Sequence, residues 1–240
     1  MNDNPIITTS WDDGHPLDFR IADLLEKYKL QGTFYIPQQN PENEVMTESQ
    51  VRDLSRQFEI GGHTMTHISA NQVSPQKWEE EVNQCFTWIT ALTGKQPVCF
   101  CFPRGIYSST ASDAVFQAGF KLARTTELMN ISKPASLKIV PTTIQIYDHS
   151  RFTYFKHLVK RRRFANLFLW MRNSSENELD KLTDKYVKQI VANRGYLHLW
   201  GHSWEIEKFA LWTKLETVFK RISGLENTNY VPNKFLADPQ

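Results

Sequence analysis

Two pairs of polar residues have the types and the spacing to do chemistry. Asp12 and Asp13 are adjacent in the segment Ser-Trp-Asp-Asp-Gly, at the end of the first apolar run. Adjacent carboxylates repel one another, so a bound cation or a proton-transfer role is expected at this position. His63 and His67 lie four residues apart after a pair of glycines. Two imidazoles at this spacing can face one metal ion if the segment forms a single helical turn.

Two further polar clusters occur later in the chain. The segment Phe-Pro-Arg-Gly-Ile-Tyr at residues 102–107 contains a proline and a glycine, which favour a loop that could aim backbone N–H groups at a ligand. In residues 197–205, His198 alternates with Trp200 as residues inside a strand do, whereas His202 follows Gly201 at the predicted outlet of the strand. His202 is therefore the better candidate for a site.

The elements that must position these residues follow a β/α alternation. Apolar runs typical of buried strands occur at residues 6–11, 32–36, 58–61, 98–102, 120–123, 144–146 and 196–200. Helical patterns occur at residues 17–28, 48–57, 75–92 and 110–118. This alternation predicts an α/β fold with parallel strands. Because the carboxyl ends of parallel strands share one face, the polar clusters are expected to meet there.

The size and composition of the chain favour a single domain over residues 1–240. The chain has 240 residues, of which 40% are apolar, and this suffices for one substantial core. A net charge of +2 and a pI near 8.3 are too mild to indicate nucleic-acid binding. The polar start leaves no room for a secretory signal, and no uncharged run is long enough for a transmembrane segment. We therefore expect a cytoplasmic location.

One stretch interrupts the β/α pattern. Residues 152–172 contain a cluster of basic residues among apolar and aromatic ones, which is typical of one basic amphipathic helix or of two short ones. The pattern has two explanations. It is either a solvated charged face over a packed apolar stripe, or a contact surface for an anionic lipid, a sugar phosphate or a protein partner. The sequence leaves the choice open.

The four clusters, in this order, resemble those of the polysaccharide deacetylase family with the NodB homology domain, also called carbohydrate esterase family 4. The Ser-Trp-Asp-Asp-Gly segment is similar to the first motif, Thr-Phe-Asp-Asp-Gly, and residues 63–67 are similar to the second, His-Ser/Thr-x-x-His. Residues 102–105 resemble the Pro-Tyr-Gly end of the third motif, and residues 202–205 a His-Pro-Trp-Glu form of the last. The resemblance covers residues 6–206 and implies a distorted (β/α) barrel of about seven parallel strands.

The resemblance also implies a role for each matching residue. Asp12 corresponds to the general base and His202 to the general acid, while Asp13, His63 and His67 correspond to the metal ligands. One carboxylate and two imidazoles suit Zn²⁺, with Co²⁺ or Mn²⁺ as the other candidates. Three protein ligands leave an open position where a divalent ion can acidify water, and a neighbouring carboxylate can take the proton.

Substrate contacts are expected from two places. Arg104, Gly105, Ile106 and Tyr107 form the loop of the third cluster, where a backbone N–H between residues 105 and 107 could stabilise the oxyanion of amide hydrolysis. Trp204 follows the general acid and could contact a sugar ring. The alternatives are core packing for Trp204 and a structural ion pair for Arg104.

The chain departs from the family pattern at the residue that orients the base. Many members have an arginine where this chain has Cys101, and Arg104 occupies the place of an aromatic residue. The usual fourth motif is not visible. Arg124 is the nearest polar candidate to orient Asp12, with a surface or loop-anchoring salt bridge as the alternative.

The expected function is metal-dependent removal of N-acetyl groups from an N-acetylated sugar, oligosaccharide or glycan precursor. A cytoplasmic location favours a precursor or sugar conjugate over exported peptidoglycan or chitin. Hydrolysis of a small amide, as in allantoinase-like and imidase-like relatives, is the alternative enzyme function, and the intact metal triad argues against it. A carbohydrate-binding protein without activity is the alternative from a different class, because the family's arginine is not at its usual place.

Overall fold

A parallel β-sheet is the frame of the protein. The computed structural model describes residues 4–134 and 138–237, and within these residues the sheet has nine strands. They are β1 (Ile6–Asp12), β2 (Gly32–Ile36), β3 (Glu59–Gly62), β4 (Cys99–Cys101), β5 (Leu122–Arg124), β6 (Ile139–Val140), β7 (Ile144–Gln145), β8 (Tyr196–Gly201) and β9 (Asn229–Tyr230). Their order is β6-β5-β4-β3-β2-β1-β8-β7, with β9 beside β1. The pairs are parallel.

The distorted α/β barrel predicted from the sequence is confirmed, with a higher strand count. The seven predicted strands correspond to β1–β5, β7 and β8. β6 and β9 are two residues long, too short to leave an apolar run in the sequence. The two ends of the strand order, β6 and β7, are consecutive in the chain. Residues 127–130 hydrogen-bond to the 142–143 connection between them, so a loop occupies the gap in the barrel wall.

Helices connect the strands and cover the outer face of the sheet. They are α1 (Asp18–Lys27), α2 (Glu48–Leu54), α3 (Pro75–Thr93), α4 (Ser109–Gln117), α5 (Arg151–Lys160), α6 (Phe164–Arg172), α7 (Leu179–Ala192), α8 (Ser203–Lys208), α9 (Trp212–Ile222) and α10 (Lys234–Ala237). α3 begins where Ser74 accepts a hydrogen bond from the Lys77 N–H and ends at Gly94, whose φ is 71°, so both ends follow ordinary capping chemistry. The basic segment forms two short helices, α5 and α6. Across the described ranges, every helix is too short or too polar to span a bilayer.

Alternate residues of β1 face the interior of the barrel and form three polar layers. Each layer joins β1 to a buried partner on another element. From the amino end to the carboxyl end, the pairs are Thr8 with Asn233, Ser10 with His198, and Asp12 with Arg124. The residues between them, such as Ile7 and Trp11, point outward into the apolar core shared with the helices. The period of two in a strand thus carries Asp12 to the mouth of the barrel.

Candidate active site

Asp12 and Asp13 lie at the carboxyl end of β1, where a sharp turn separates the two side chains. Asp12 is the last residue of the strand. Asp13 follows with a φ of 77° and Gly14 with a φ of 62°, so the chain leaves the strand in a left-handed conformation. A residue other than glycine is strained in this region, and such residues cluster at functional sites. The turn directs two adjacent carboxylates at different partners.

The two histidines, His63 and His67, follow β3 in an irregular loop. The single helical turn expected between them is not formed. Thr64 and His67 instead adopt left-handed conformations, with φ angles of 64° and 56°. The buried carboxylate of Glu81 accepts hydrogen bonds at 3.0 Å from the N–H groups of the two residues that follow Thr64. An anchored irregular backbone, rather than helical periodicity, therefore brings the two imidazoles together.

Three electron-rich atoms converge at this end of the barrel. Nε2 of His63 lies 3.5 Å from Oδ1 of Asp13, and Nε2 of His67 lies 3.1 Å from the same oxygen. Nδ1 of His63 is 2.8 Å from the backbone carbonyl of Cys101. Because a carbonyl can only accept, Nδ1 carries a hydrogen, and Nε2 is the ring atom that faces Asp13. At these distances the carboxylate oxygen and the two ring nitrogens repel one another unless a cation, a proton or a metal ion, lies between them.

The three residues fit a divalent metal ion. Tetrahedral zinc binds N and O ligands at about 2.0–2.1 Å, which separates neighbouring ligand atoms by about 3.3 Å. The separations of 3.5 and 3.1 Å from Asp13 Oδ1 are close to that value. Within the described residues, Oδ1 is buried without a hydrogen-bond partner, as expected of an atom that faces a cation. One carboxylate and two imidazoles also form a donor set that suits zinc.

Asp13 is held as an anion. Burial alone raises its pKa, but the imidazoles of His63 and His67 and the charge of His202 hold the pKa well below the usual value of a carboxyl group. The indole N–H of Trp204 donates to Oδ2 at 2.8 Å, which orients the carboxylate and leaves Oδ1 to face the histidines. Trp204 also lines the cavity above the site, so its contact with Asp13 and a contact with substrate are compatible.

Arg124, the last residue of β5, lies against Asp12. Its Nη2 donates to Oδ1 of Asp12, and both side chains are buried. Sγ of Cys101 lies 3.6 Å from the other oxygen, Oδ2. Cys101 and Arg124 are register partners on the neighbouring strands β4 and β5. The arginine that contacts Asp12 thus comes from β5, whereas the family pattern implies an arginine at the position of Cys101 in β4. The Arg124 side chain reaches Asp12 past the small side chain of Cys101.

His202 follows β8 at the same end of the barrel. Its Nδ1 lies 3.1 Å from Oε2 of Glu205, one turn further along in α8. Burial lowers the pKa of His202, but the carboxylates of Glu205, Asp13 and Asp12 more than offset this and raise the pKa to about 9. The imidazole is therefore protonated at neutral pH and has a proton to give.

These side chains open into a cavity of about 370 Å³, a size found in small-molecule sites. The barrel side is lined by Asp12, Asp13, His63, His67, Arg104, Trp200, His202 and Trp204. Another wall is formed by Thr153, Tyr154 and His157 of α5 and by Arg161, the residue that follows this helix. Burial and the neighbouring Arg161 lower the pKa of His157 to about 4, so His157 is neutral and Arg161 is the cation of this wall. The basic segment is thus part of the site.

The loop expected to supply oxyanion donors differs from the prediction. Arg104 lines the cavity, whereas Gly105, Ile106 and Tyr107 lie outside its lining. The N–H groups of Gly105 and Ile106 donate to carbonyls within a tight turn, at 2.9 and 3.3 Å, and Tyr107 stacks on a phenylalanine ring. Because the turn uses the N–H groups of Gly105 and Ile106, these two are not free to bind an oxyanion. The expectation for the N–H of Tyr107 stays a prediction.

Two buried acidic residues, Glu81 and Asp18, support the site but belong to no recognisable sequence motif. Glu81, which holds the histidine loop, lies on the buried face of α3 one turn from Trp78, and an acid within an apolar stripe is the only local signal of its role. Asp18 is fully buried at the start of α1 and accepts a hydrogen bond from Ser203 Oγ at 2.5 Å. This contact ties α1 to the residue after His202. Burial raises the pKa of Asp18 well above its usual value.

Comparison with known proteins gives the same family as the motifs. Residues 2–123, half of the chain, match the polysaccharide deacetylase family. The chain belongs to this family. A curated peptidoglycan-N-acetylglucosamine deacetylase from Bacillus cereus is 29% identical over 126 residues, which cover 50% of this chain and 56% of the relative. The chain thus spans about half the length of this curated relative.

Solved structures extend the likeness of fold to the whole chain. A protein assigned as a polysaccharide deacetylase from Mycobacterium smegmatis has a TM-score of 0.67 at 10% identity, covering 99% of this chain and 91% of the other. A family 4 acetyl xylan esterase from Clostridium thermocellum, in complex with a cobalt ion, has a TM-score of 0.55 at 17% identity, covering 96% and 89%. At these identities the likeness concerns the fold of the polysaccharide deacetylases.

Proposed function

We propose that the protein is a metal-dependent hydrolase that removes N-acetyl groups from an N-acetylated sugar, oligosaccharide or glycan precursor. The observation that carries this proposal is the convergence of Asp13, His63 and His67 beside a second carboxylate, Asp12, and a protonated imidazole, His202, in one cavity. Membership of the polysaccharide deacetylase family supports the reaction class. The name of the curated relative, a peptidoglycan-N-acetylglucosamine deacetylase, supports an N-acetylated sugar as substrate.

Asp13, His63 and His67 are the residues that would hold the metal ion. Zinc is our first choice and cobalt or manganese the others, because the donor set combines one carboxylate with two imidazoles. When bound, a divalent ion supplies a Lewis acid that lowers the pKa of water and polarises an amide carbonyl. The Trp204 N–H keeps the Asp13 carboxylate turned toward the histidines.

Asp12 is the proposed general base. Each of its oxygens has a partner, Nη2 of Arg124 on Oδ1 and Sγ of Cys101 on Oδ2, so the carboxylate keeps one direction at the edge of the cavity. The strong, charge-assisted partner is Arg124, since a thiol is a weak donor. Held in this way, Asp12 is placed to accept a proton from the attacking water.

His202 is the proposed general acid. Because Nδ1 faces the carboxylate of Glu205, the proton available to a substrate is the one on Nε2. The C–N bond of the amide breaks as this proton passes to the departing sugar nitrogen, so the products are acetate and a free amino sugar. Glu205 then acts as the positioning residue that sets the orientation of the ring and raises its pKa.

The N–H of Arg104 is the proposed oxyanion donor. Arg104 is the second residue of the 3₁₀ turn Pro103–Gly105 and has a φ of 59°. The first N–H groups of a helical turn have no acceptor inside the turn, and Arg104 lines the cavity. A donor of this kind contributes about 3 kcal/mol to stabilisation of the transition state.

We propose a glycan precursor or sugar conjugate in the cytoplasm as the substrate class. Cys85, Cys99 and Cys101 are buried free thiols, which is typical of proteins from a reducing compartment. This assignment is independent of the chemistry at the metal centre.

Metal analysis combined with an acetate assay tests the proposed function. We expect the purified chain to bind one divalent ion and to release acetate from N-acetylglucosamine oligomers but not to hydrolyse allantoin. Asp13→Ala, His63→Ala and His67→Ala variants should each lose the ion and the activity. Variants that keep the parent's metal content would refute the ligand assignment. A metal-loaded parent that binds the oligomers and releases no acetate would instead indicate a carbohydrate-binding protein.

A further inference from the structure

α5 and α6 expose an unusual amount of apolar surface. The described residues include nine large hydrophobic side chains that are exposed, and six of them lie in these two helices. The six are Phe152, Phe155, Val159, Phe164, Phe168 and Met171. Phe152 is 72% exposed and Phe168 64%, so these rings have most of their surface in water. A patch of this kind on one segment indicates an interaction surface rather than scattered exposure.

Each helix has two apolar faces, and only one of them packs against the core of the protein. In α5, Tyr154 and Leu158 are buried in the core, while Phe152, Phe155 and Val159 form an outward stripe at spacings of three and four residues. In α6, Trp170 is buried and packs near Tyr154, with ring centroids 6.0 Å apart. A helix that is apolar on both faces is expected to be covered on both. The outward stripes of α5 and α6 therefore have no partner among the residues that the structure describes.

In α6 the outward stripe consists of Phe164, Phe168 and Met171. Their spacing of four and three residues aligns them on one side of the helix. α5 and α6 pack together through Tyr154 and Trp170, and we call the outward stripes of the two helices together the α5–α6 patch.

The α5–α6 patch is also strongly basic. Residues 151–172 contain seven Lys and Arg and no Asp or Glu, whereas the rest of the chain has 21 Lys and Arg against 26 Asp and Glu, a net charge of −5. Lys156, Lys160, Arg162 and Arg172 form no ion pair with the residues that the structure describes. A chain with a weak overall charge thus concentrates its positive charge where it exposes aromatic rings.

We propose that the α5–α6 patch docks on the surface of an anionic lipid bilayer. Exposed aromatic side chains together with unpaired Lys and Arg are the features of helices that lie in the membrane interface. Cations near an anionic leaflet contribute about 1 kcal/mol each. A second copy of the chain is a poor occupant, because a twofold contact would bring two such basic surfaces together. Nucleic acid would match the charge but leaves six apolar side chains without a partner.

Docking of this patch would bring the catalytic cavity next to the membrane. Thr153, Tyr154 and His157 of α5 line the cavity. The outer side of the same helix carries Phe152, Phe155 and Val159. One helix would therefore contact the bilayer and the substrate at once. The inference goes beyond deacetylation, since it concerns where the site works and not the bond that it breaks.

Vesicle co-sedimentation with the full chain tests this proposal. The probes are vesicles of phosphatidylcholine alone and vesicles that also contain phosphatidylglycerol. We expect at least about tenfold tighter binding to the anionic vesicles and weakening by added salt. A Phe164→Ser/Phe168→Ser double variant should bind the anionic vesicles about tenfold more weakly or worse, because it lacks two rings that the proposal buries in the bilayer. Its matched control is Val191→Ser, an exposed apolar residue of α7.

A second pair of variants separates charge from folding defects. Lys156→Glu/Lys160→Glu should abolish the preference for anionic vesicles, whereas Lys95→Glu/Lys188→Glu, which makes the same change in net charge elsewhere on the exposed surface, should bind as the parent does. Thermal unfolding of all variants checks that the fold is retained.

Three outcomes would overturn the proposal. The parent could bind neither type of vesicle, or both types equally. Sedimentation could show a dimer that dissociates in the Phe164→Ser/Phe168→Ser variant, which would assign the patch to self-association. A single-stranded oligonucleotide could bind more tightly than the vesicles and independently of the two phenylalanines. Acetate release is measured separately, so that failure of membrane binding and failure of deacetylation are distinguishable.

Discussion

The two ends of the barrel both bury polar side chains, but they differ in how those side chains are partnered. At the amino end, Asn233 donates from its backbone N–H to Thr33 and from its side chain to Tyr35, and accepts from Thr8. At the carboxyl end, Oδ1 of Asp13 meets Nε2 of His63 and of His67, and this oxygen has no hydrogen-bond partner among the described residues. Matched donors and acceptors stabilise a fold, whereas acceptors that converge need a cation.

The pKa values of buried carboxyl groups also differ between the two ends of the barrel. Glu59 lies at the amino end, where its Oε2 accepts from Thr33 Oγ1 and the N–H of Lys234, and burial raises its pKa. Asp13 is also buried, yet its pKa is lowered by the neighbouring imidazoles. One end of the barrel therefore raises the pKa of a buried acid, while the other lowers it and favours the anion. We infer that the amino end serves stability and the carboxyl end serves chemistry.

The largest expected effect is at Asp13. Asp13→Asn keeps an acceptor for the Trp204 N–H but removes the negative charge that the metal requires. We expect loss of the bound ion and a fall in acetate release of at least about 10³-fold, because the Lewis acid contributes several kcal/mol to the transition state. Metal analysis and steady-state kinetics measure the two effects. A variant that retains the ion and lacks activity would show that Asp13 acts other than as a ligand.

Arg124 is the next test of the carboxyl end. Arg124→Ala leaves Asp12 buried without its charged partner, so we expect kcat to fall by about 10²-fold and the free energy of unfolding to fall by about 3–5 kcal/mol. Arg124→Lys should recover part of both. Cys101→Ala, which removes only a weak donor, is the matched control and should change kcat little. Metal content should stay at the parent value, and its loss would mean that Arg124 supports the ligands rather than the base.

Asn233 tests the amino end. Asn233→Ala removes the side-chain partners of Thr8 and Tyr35 in a fully buried layer, so we expect the free energy of unfolding to fall by about 2–3 kcal/mol. kcat and metal content should be unchanged, because the site lies at the other end of the strands. Urea denaturation and kinetics on the same sample measure both quantities. A variant as stable as the parent, or one with reduced kcat, would remove the distinction between the two ends.

The smallest effect is expected in the pH dependence of Glu205→Gln. His202 is protonated below its pKa of about 9, and a general acid loses activity as the pH rises through that pKa. The Glu205 carboxylate is the hydrogen-bond partner that raises the value, so its neutralisation should move the alkaline limb of kcat to lower pH, by about one unit. A pH–rate profile measures this shift. If the alkaline limb of kcat does not shift in Glu205→Gln, a group other than His202 determines it.

Local patterns in the sequence account for the barrel class and for the position of the motif residues. β1 shows why: its apolar run and its period of two carry Asp12 to the mouth with no help from distant residues. The histidine pair was recognisable by spacing, but the helical turn on which that spacing argument depended is not formed. Left-handed residues and Glu81 shape the loop instead, and neither is visible in a spacing.

What the sequence by itself determined is which side chains reach the carboxyl ends of the strands, because strand periodicity and strand ends depend on a few neighbouring residues. Only the tertiary structure decided which partners those side chains meet. The β4–β5 register delivers Arg124 to Asp12 past Cys101, the turn at 103–105 uses the N–H groups of Gly105 and Ile106, and α5 becomes a wall of the cavity. These outcomes depend on packing between residues far apart in the chain, which no local pattern encodes.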